Sequence, residues 1–212
     1  MIKDDFWEFF RERDIKRQRI ESLMRKSQDI VDYCKRMMGG GDYWQISEDE
    51  IRVIYTLVKS VDPSIVVETG VGPGVSTTAI LSAISKNALL ISIDPDIPYG
   101  KGDREIGFVI PAELKSNFKF VRGTSAERMR EVLENIRELD IFFHDSDHTY
   151  NNIMFELNSI WPKLSRDYII LVDNYDWTPA PMDFAREKNL TLYNPADDLA
   201  IISKPCIRKG KQ

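Results

Sequence analysis

The residues of this chain that could do chemistry gather where two apolar runs end. Both histidines, His144 and His148, lie beside Asp145 after the first of these runs, and Asp173 and Asn174 follow the second. Because the carboxyl ends of adjacent parallel strands meet at one edge of a sheet, we expect Asp145 to lie near Asp173 and Asn174. Two carboxylates and an amide oxygen form a hard oxygen site of the kind that Mg²⁺ or a similar ion prefers.

A divalent ion at this position could chelate substrate oxygens and lower the pKa of a hydroxyl group. His148 lies three residues after Asp145, where a neutral imidazole could remove the hydroxyl proton as a general base. Two plainer interpretations stay open, since His144 could only line the pocket and Asp147 could only cap the helix that follows. The Asp145-Ser146-Asp147 segment also has the pattern of the DxD motif in metal-dependent glycosyltransferases, which is a different class of enzyme.

A glycine-rich loop is the second chemical feature of the chain. Glu68 is followed by Gly70, Gly72 and Gly74 at alternate positions, and a helix is predicted to start at once near Ser76. Glycines let the backbone turn sharply, and the free N–H groups of the helix start face whatever lies in the loop. The spacing differs from the G-x-G-x-x-G of dinucleotide-binding folds, so an NAD-dependent oxidoreductase is the weaker alternative.

Two acids limit what this loop could hold. A buried Glu68 would repel a pyrophosphate but would suit the cationic amino-acid part of a ligand. Asp94 ends the next predicted strand, where its carboxylate could accept hydrogen bonds from both ribose hydroxyls of an adenosine. The loop and the two acids together favour an adenosine-containing ligand that carries an amino-acid group.

Apolar, β-branched runs alternate with amphipathic segments along most of the chain, which predicts an α/β fold with a parallel sheet and right-handed crossovers. The predicted strands are Ile65–Glu68, Leu89–Asp94, Phe118–Arg122, Asp140–Asp145 and Tyr168–Asp173, followed by a hairpin of Leu190–Tyr193 and Leu199–Ser203. The predicted helices between the strands lie near Ser76–Ser85, Ser125–Leu139 and Tyr150–Leu164. The expected fold is a Rossmann-like, doubly wound and mostly parallel seven-stranded sheet with one antiparallel strand.

Residues 1–46 are predicted to form an N-terminal helical extension, in front of a ligand-binding domain of residues 47–207 and a basic tail of residues 208–212. Ser47 and Glu50 form a capping-box pattern, which predicts the start of the first helix of the domain. The extension carries an aromatic cluster that is too apolar to lie bare in water, made of Phe6, Trp7, Phe9 and Phe10. We expect this cluster to pack on the main domain or on a second copy in a homodimer, with a lid over the site as the alternative.

The composition bounds the class of protein. The 212-residue chain is 42% hydrophobic and 30% charged with a formal net charge of −5, which excludes a disordered chain, a collagen-like chain and a membrane bundle. The acidic balance argues against nucleic acid as a partner. The N-terminus has no apolar stretch of signal-peptide length, and the longest apolar runs are of strand length, so we expect a soluble cytoplasmic protein.

Most of the predicted domain resembles the class I S-adenosylmethionine-dependent methyltransferases. The resemblance rests on VVETGVGPGVST, LISIDPD, FVRGTSAERM, DIFFHDSDHTY and ILVDN, in this order, and is closest to the branch of catechol O-methyltransferase and related metal-dependent O-methyltransferases. It implies O-methylation of a small hydroxylated acceptor, with S-adenosyl-L-methionine as the cofactor and Mg²⁺ as the expected divalent metal. The metal ligands that it implies are Asp145, Asp173 and Asn174. The cofactor contacts that it implies are Glu68, Gly70, Gly72, Gly74, Ser76, Asp94, Thr124, Ser125 and Asp145.

The chain departs from the catechol enzymes at two points. Those enzymes carry a lysine base three residues after the metal-binding Asp, where this chain has His148. The tryptophan that is typical of catechol enzymes next to the base is missing, which argues against a catechol substrate. Contacts with the acceptor are expected from the loops Tyr43–Gln45, Ile97–Gly107 and Tyr175–Met182. A binding or regulatory protein that kept the cofactor pocket without catalysis is the remaining alternative.

Overall fold

The computed structural model describes residues 1–40, 45–97 and 104–205, and these residues form a seven-stranded sheet with helices on both faces. The strands are β1 (Ile65–Thr69), β2 (Leu89–Asp94), β3 (Phe118–Arg122), β4 (Leu139–His144), β5 (Leu164–Val172), β6 (Thr191–Ala196) and β7 (Leu199–Ser203). The helices are α1 (Asp4–Glu12), α2 (Arg17–Lys26), α3 (Gln28–Met38), α4 (Glu48–Val61), α5 (Val75–Ala83), α6 (Ser125–Glu134), α7 (Tyr150–Ile160) and α8 (Ala180–Glu187), with short 3₁₀ helices at Ala112–Asn117 and Trp161–Lys163. The predicted basic tail, residues 208–212, lies outside the described residues.

The order of the strands in the sheet is β3-β2-β1-β4-β5-β7-β6. Strands β1 to β5 pair in parallel, and β7 lies antiparallel between β5 and β6. The predicted Rossmann-like, mostly parallel sheet with one antiparallel strand is therefore confirmed. The strand order reverses between β1 and β4, and open α/β sheets bind their ligands outside the carboxyl ends of the strands at such a point.

The sheet is buried on both faces because successive strand residues point to opposite sides. Val66 of β1 and Ile141 of β4 face the layer formed by α1 to α5. Their neighbours Val67 and Phe142 face the layer formed by α6 to α8. This two-sided burial explains why the strands read as continuous apolar runs in the sequence rather than as alternating patterns.

Several element ends differ from the prediction for local reasons. The predicted capping box is present, since Glu50 N donates to Ser47 Oγ at 3.2 Å and Ser47 N donates to Glu50 Oε2 at 2.7 Å. Helix α7 ends at Ile160 rather than near Leu164, because Pro162 has no N–H group with which to continue the helix. Helix α8 was not predicted, because Pro181 in its first turn is typical of a loop. Proline is nevertheless also compatible with the first turn of a helix.

The predicted N-terminal extension forms three separate helices, of which α1 packs on β6 of the sheet, whereas α2 and α3 pack on α4. Phe6, Phe9 and Phe10 of α1 are fully buried. The ring of Phe9 meets the ring of Tyr193 in β6 edge to face, with 5.5 Å between the centroids. Arg13 donates a 2.7 Å hydrogen bond to the Ser203 hydroxyl of β7. The aromatic cluster is thus covered within one chain, by the far edge of the sheet, and needs no second copy to shield it. Among the described residues, no helix is long and apolar enough to cross a bilayer.

Candidate active site

The site lies where β1, β4 and β5 end side by side. Thr69 of β1 pairs with His144 of β4, and His144 pairs with Val172 of β5. The next residues continue this pairing, since Asp145 N donates to the Thr69 carbonyl at 2.8 Å and Asp173 N donates to the His144 carbonyl at 2.9 Å. The sheet register therefore fixes the backbone of the two acids side by side, as the sequence predicts.

The three glycines of the loop after β1 have three different surroundings. Gly70 has a φ of +85°, and a Cβ there would lie 1.8 Å from the carbonyl oxygen of Asp145. A Cβ on Gly74, at φ +93°, would lie 2.7 Å from the Ile110 side chain. A Cβ on Gly72 would meet nothing within 4 Å among the described atoms. The open side of the loop is therefore at Gly72, and this is where a ligand can approach the backbone.

Glu68 lies behind the loop rather than on its open side. Its carboxylate is fully buried and accepts hydrogen bonds from three hydroxyl groups: Ser76 at 2.7 Å, Thr77 at 2.8 Å and Ser92 at 2.5 Å. Burial raises the pKa of Glu68 to about 7, although the three hydroxyl groups oppose the shift. In this structure Glu68 and Ser76 bind each other, and they tie the first turn of α5 to β1 and β2. Their contact with a cofactor stays a prediction, to which this geometry lends no direct support.

Asp94 also supports the loop from within. Its Oδ2 accepts the backbone amides of Val71 at 2.8 Å and Gly72 at 3.3 Å, and its Oδ1 accepts the Asp96 amide at 2.7 Å. The backbone of Asp94 lies beside the segment that leads to Thr124, since the Asp94 carbonyl accepts the Gly123 amide at 2.9 Å. Asp94 is placed at the correct strand end for a ribose, but its oxygens are already shared with the loop.

Thr124 and Ser125 begin helix α6 at the same edge of the sheet. The Thr124 side chain and the Glu127 side chain form a capping box around the helix start. The Ser125 hydroxyl donates to Asn152 Oδ1 of α7 at 3.2 Å. The two residues are thus held in place by the start of the helix that follows β3, and their contact with the cofactor stays a prediction.

The acids at the ends of β4 and β5 converge with a histidine. Asp145, His148 and Asp173 each offer one ligand atom, and these atoms all lie within 4.8 Å of one another. His148 Nε2 lies 3.7 Å from Asp145 Oδ1 and 3.5 Å from Asn174 Nδ2. Asn174 also donates to the Asp173 carboxylate. Since the two ends of an amide side chain are assigned from their hydrogen bonds, rotation of the Asn174 amide would present its oxygen to the same point.

The electrostatics of this cluster favour a cation. Burial and the charge of Asp173 raise the pKa of Asp145 well above its ordinary value. Burial and the charge of Asp198 raise the pKa of Asp173 to about 6. Burial and the neighbouring His144 lower the pKa of His148 to about 4, so its imidazole is neutral at neutral pH. A hard oxygen set with two crowded carboxylates and a neutral imidazole fits a divalent ion.

The sequence analysis did not identify Glu156, which binds three polar side chains at this edge of the sheet. Glu156 of α7 is fully buried and accepts hydrogen bonds from Thr69 Oγ1 at 2.7 Å, His144 Nδ1 at 2.7 Å and Ser146 Oγ at 2.8 Å. Burial alone would raise the pKa of Glu156, but the His144 contact and the hydroxyl groups lower it overall. The signal in the sequence was a glutamate on the apolar face of α7, one residue before Leu157.

Asp147 and Trp177 bear on two points of the sequence analysis, namely the cap of α7 and the aromatic neighbour missing beside His148. Asp147 does not cap α7, because the cap is Thr149, whose hydroxyl accepts the Asn152 amide at 3.4 Å. Asp147 instead holds this cap in place, since it accepts the Thr149 amide at 3.1 Å and the Thr149 hydroxyl at 3.2 Å. Trp177, from the segment after β5, places its ring 5.3 Å from the ring of His148. Trp177 is 66% exposed, so it forms an open aromatic wall beside His148. An aromatic neighbour of the histidine, missing from the local sequence, is thus supplied by a distant part of the chain.

The loops expected to contact the acceptor are described only in part. Tyr43 and the middle of Ile97–Gly107 lie outside the described residues. The end of that loop covers the glycine loop, since Gly107 N donates to the Gly72 carbonyl at 2.9 Å and Val109 N donates to the Pro73 carbonyl at 3.0 Å.

The fold agrees with what is known of similar proteins. Residues 67–175, more than half of the chain, match a family described as a methyltransferase domain. The chain therefore belongs to this family, and it is an S-adenosylmethionine-dependent methyltransferase. The match spans the glycine loop, the β4 acids and the β5 acids, and a metal-dependent glycosyltransferase or an NAD-dependent oxidoreductase is accordingly set aside.

Solved structures agree on the fold. A methyltransferase from Geobacter sulfurreducens aligns with a TM-score of 0.66 at 18% identity, covering 82% of this chain and 88% of the other. An O-methyltransferase from Bacillus cereus, in complex with SAH, aligns with a TM-score of 0.58 at 14% identity, covering 90% of this chain and 93% of the other. No curated protein matches the chain at the sequence level.

Proposed function

We propose that this enzyme transfers the methyl group of S-adenosyl-L-methionine to an oxygen atom of a small hydroxylated acceptor, with the help of a divalent metal ion. The observation that carries the proposal is the convergence of Asp145, Asp173, Asn174 and His148 at one strand edge, next to the open side of the glycine loop. The similarity in fold to an O-methyltransferase crystallised with SAH supports the same reaction class. The cofactor would approach at Gly72, between Asp94 and the β4 acids.

Asp145, Asp173 and Asn174 would hold the metal ion, with Mg²⁺ as the expected species. When bound, such an ion orients a hydroxyl group and lowers its pKa. The fit is supported by the donor chemistry, because two carboxylates and an amide oxygen are hard ligands.

His148 would act as the general base. Its ring lies between Asp145 and the Trp177 wall, and its Nδ1 is buried without a hydrogen-bond partner among the described residues. Nε2 lies on the side of the two acids, 3.7 Å from Asp145 Oδ1, and would be the nitrogen that accepts the proton. Trp177 would cover one side of the acceptor and keep its reacting oxygen in line with the methyl group and the sulfur, which is the geometry that methyl transfer requires.

The test combines binding with turnover. The wild-type protein should bind S-adenosylhomocysteine in a calorimeter and should transfer labelled methyl groups to some members of a panel of small hydroxylated compounds. Replacement of His148 by Ala should lower turnover by about 10²–10⁴-fold, the usual contribution of a general base, and leave the affinity for S-adenosylhomocysteine nearly unchanged. A chelator should abolish turnover, and added Mg²⁺ should restore it.

Asp147→Asn is the matched control for Asp145→Asn. Both changes remove one carboxylate from the same turn, but only Asp145 faces the cluster, so only the Asp145 variant should lose the response to metal. Turnover that persists unchanged in a chelator would point to a metal-independent methyltransferase. Cofactor binding without turnover on any acceptor would favour the non-catalytic alternative, and the absence of cofactor binding would overturn the assignment of the pocket.

We expect a small molecule rather than nucleic acid as the acceptor, because the chain is acidic, and we expect the enzyme to act in the cytoplasm. A homodimer through the N-terminal helices would have to use their outer surfaces, because the aromatic faces of α1 are buried against the sheet. Light scattering of the full chain tests the dimer directly.

A further inference from the structure

A second group of carboxylates lies beside the first. Glu50 in the first turn of α4, Asp173 after β5 and Asp198 in the turn between β6 and β7 each bring one oxygen atom within 4.8 Å of the others. Helix α4 and the β6–β7 turn are joined by a hydrogen bond, since the Ser47 hydroxyl at the start of α4 donates to Asp197 Oδ2 at 2.5 Å. Asp173 belongs to this group and also to the group of Asp145 and His148, so the two clusters are adjacent and share one residue.

Glu50 is the unusual member of this second group. The residue is only 2% exposed, and its Oε2 is occupied by the capping-box bond from the Ser47 amide. Its other oxygen, Oε1, is buried and has no hydrogen-bond donor among the described residues. A buried carboxylate oxygen without a partner costs free energy, because it has given up its water without a replacement. Since Oε2 is taken by the backbone, Oε1 is the oxygen that Glu50 has left for a ligand.

The charges around this oxygen point to the kind of ligand. Asp145, Asp173, Asp198 and Glu50 place four carboxyl groups in two adjoining clusters. No lysine or arginine among the described residues forms an ion pair with any of these four, and the ion pair recorded for them joins Asp145 to His148. Carboxylates that gather without a lysine or arginine partner are the donors that a hard divalent ion prefers.

We propose that Glu50, Asp173 and Asp198 form a second divalent-cation site, with Asp173 bridging it to the site of Asp145 and Asn174. The first of these sites belongs to the proposed function, and the bridging role of Asp173 rests on it. Paired metal ions in enzymes lie about 3.5–4 Å apart and can bind two oxygens of one substrate. A second ion here would favour an acceptor that carries an additional oxygen donor, such as a neighbouring hydroxyl or carboxylate group, and would join α4 to the β6–β7 turn.

The experiment counts bound Mn²⁺ on the metal-free full-length chain, by electron paramagnetic resonance of the free ion during titration. The wild type should bind two ions per chain, and the bound pair should show a spin-coupled spectrum. Glu50→Gln and Asp198→Asn should each bind one. Glutamine is itself a capping-box residue, so Glu50→Gln keeps the start of α4, and Asp198→Asn tests the site from another element. Glu48→Gln removes a neighbouring acid that instead pairs with Lys35, and should still bind two.

The outcomes separate this proposal from the proposed function. Asp145→Asn should lose one ion and keep the one held by Glu50. A wild type that binds one ion, lost in Asp145→Asn and kept in Glu50→Gln, would overturn the second site and leave the first intact. Two ions in the wild type and also in both Glu50→Gln and Asp198→Asn would overturn the assignment of residues. A wild type that binds none would overturn both metal sites, while cofactor binding would remain to be judged separately by calorimetry.

Discussion

Replacement of Glu68 by Gln should remove a pH-dependent penalty on folding. Glu68 is completely buried, and its pKa is raised from an ordinary value of 4.5 to about 7, chiefly by burial. Glutamine has the same shape and no charge, and the three hydroxyl groups around it can rotate to suit an amide. The difference in the free energy of unfolding between the wild type and Glu68→Gln therefore isolates the cost of ionising this one carboxyl group.

The sign and size follow from the two pKa values. Below pH 4.5 the carboxyl group is protonated in both the folded and the unfolded chain, so its contribution is fully present. Between 4.5 and about 7 the unfolded chain ionises first, the folded chain holds more protons, and stability falls as the pH rises. Above about pH 7 the loss is complete. A tenfold change in proton affinity is worth about 1.4 kcal/mol, so the total loss is about 3 kcal/mol, with about 2–3 kcal/mol of it between pH 5 and pH 8.

The assay is urea unfolding, followed by circular dichroism at several values of pH between 5 and 8, in the absence of metal and cofactor. The stability of the wild type relative to Glu68→Gln should decline across this range. Glu156→Gln is the control, because Glu156 is equally buried but its pKa is lowered, so its stabilising charge is lost only as the pH falls below its ordinary range. A flat difference for Glu68 would mean that its three hydroxyl partners fully solvate the charge, and the argument from burial would be wrong.

The other predictions concern the loop and the first helix. Gly70→Ala should destabilise the chain by about 3 kcal/mol or more in thermal or urea unfolding, because its Cβ would overlap the Asp145 carbonyl and the residue would be held at positive φ. Gly72→Ala should cost only about 1 kcal/mol but should weaken S-adenosylhomocysteine binding, since the space there is open; equal effects of the two changes would contradict the assigned open side. Phe9→Ala should cost about 3–5 kcal/mol in one cooperative transition, and an unchanged melting temperature would show that α1 contributes nothing to the fold.

The sheet could be predicted from the sequence because burial on both faces leaves short, continuous apolar runs. Strands β2 and β7 begin and end where those runs do, and the edge strand β3, in which Lys119 stands between Phe118 and Phe120, also has the predicted bounds. The errors lie where a local signal was ambiguous. In β6 the Asn194-Pro195-Ala196 segment looks like a turn, but Pro195 stands near the end of an edge strand, where a missing N–H group is tolerated. The turn is accordingly shorter and centres on Asp197, at φ +35°, and Asp198.

The site could be predicted only to the level of strand ends. The sequence places Asp145, Asp173 and Asn174 at one edge because the period of the strands fixes where each one ends. It could not show that Trp177 would lie against His148, since the two are far apart in the chain and meet only through the course of the segment after β5. The same holds for Glu50, whose role at a helix start is visible locally but whose second oxygen is left over only in three dimensions.

The acids at this edge of the sheet divide according to the donors that reach them. One group has its oxygens filled by hydroxyl or amide groups of the chain, and these acids hold the loop and strands in place; they are Glu68, Asp94 and Glu156. A second group lies among other carboxylates and has fewer donors; these acids are Asp145, Asp173 and Glu50. Asn174 reaches Asp173, and the Ser47 amide reaches one oxygen of Glu50 but leaves the other unpaired. Both groups lie at the carboxyl edge of the same sheet, so position alone does not separate them. An acid whose lone pairs are satisfied gains nothing from a metal ion, whereas one without donors is stabilised by any cation that replaces its lost water. The number of donors therefore distinguishes the acids that support this site from those that are free to bind within it.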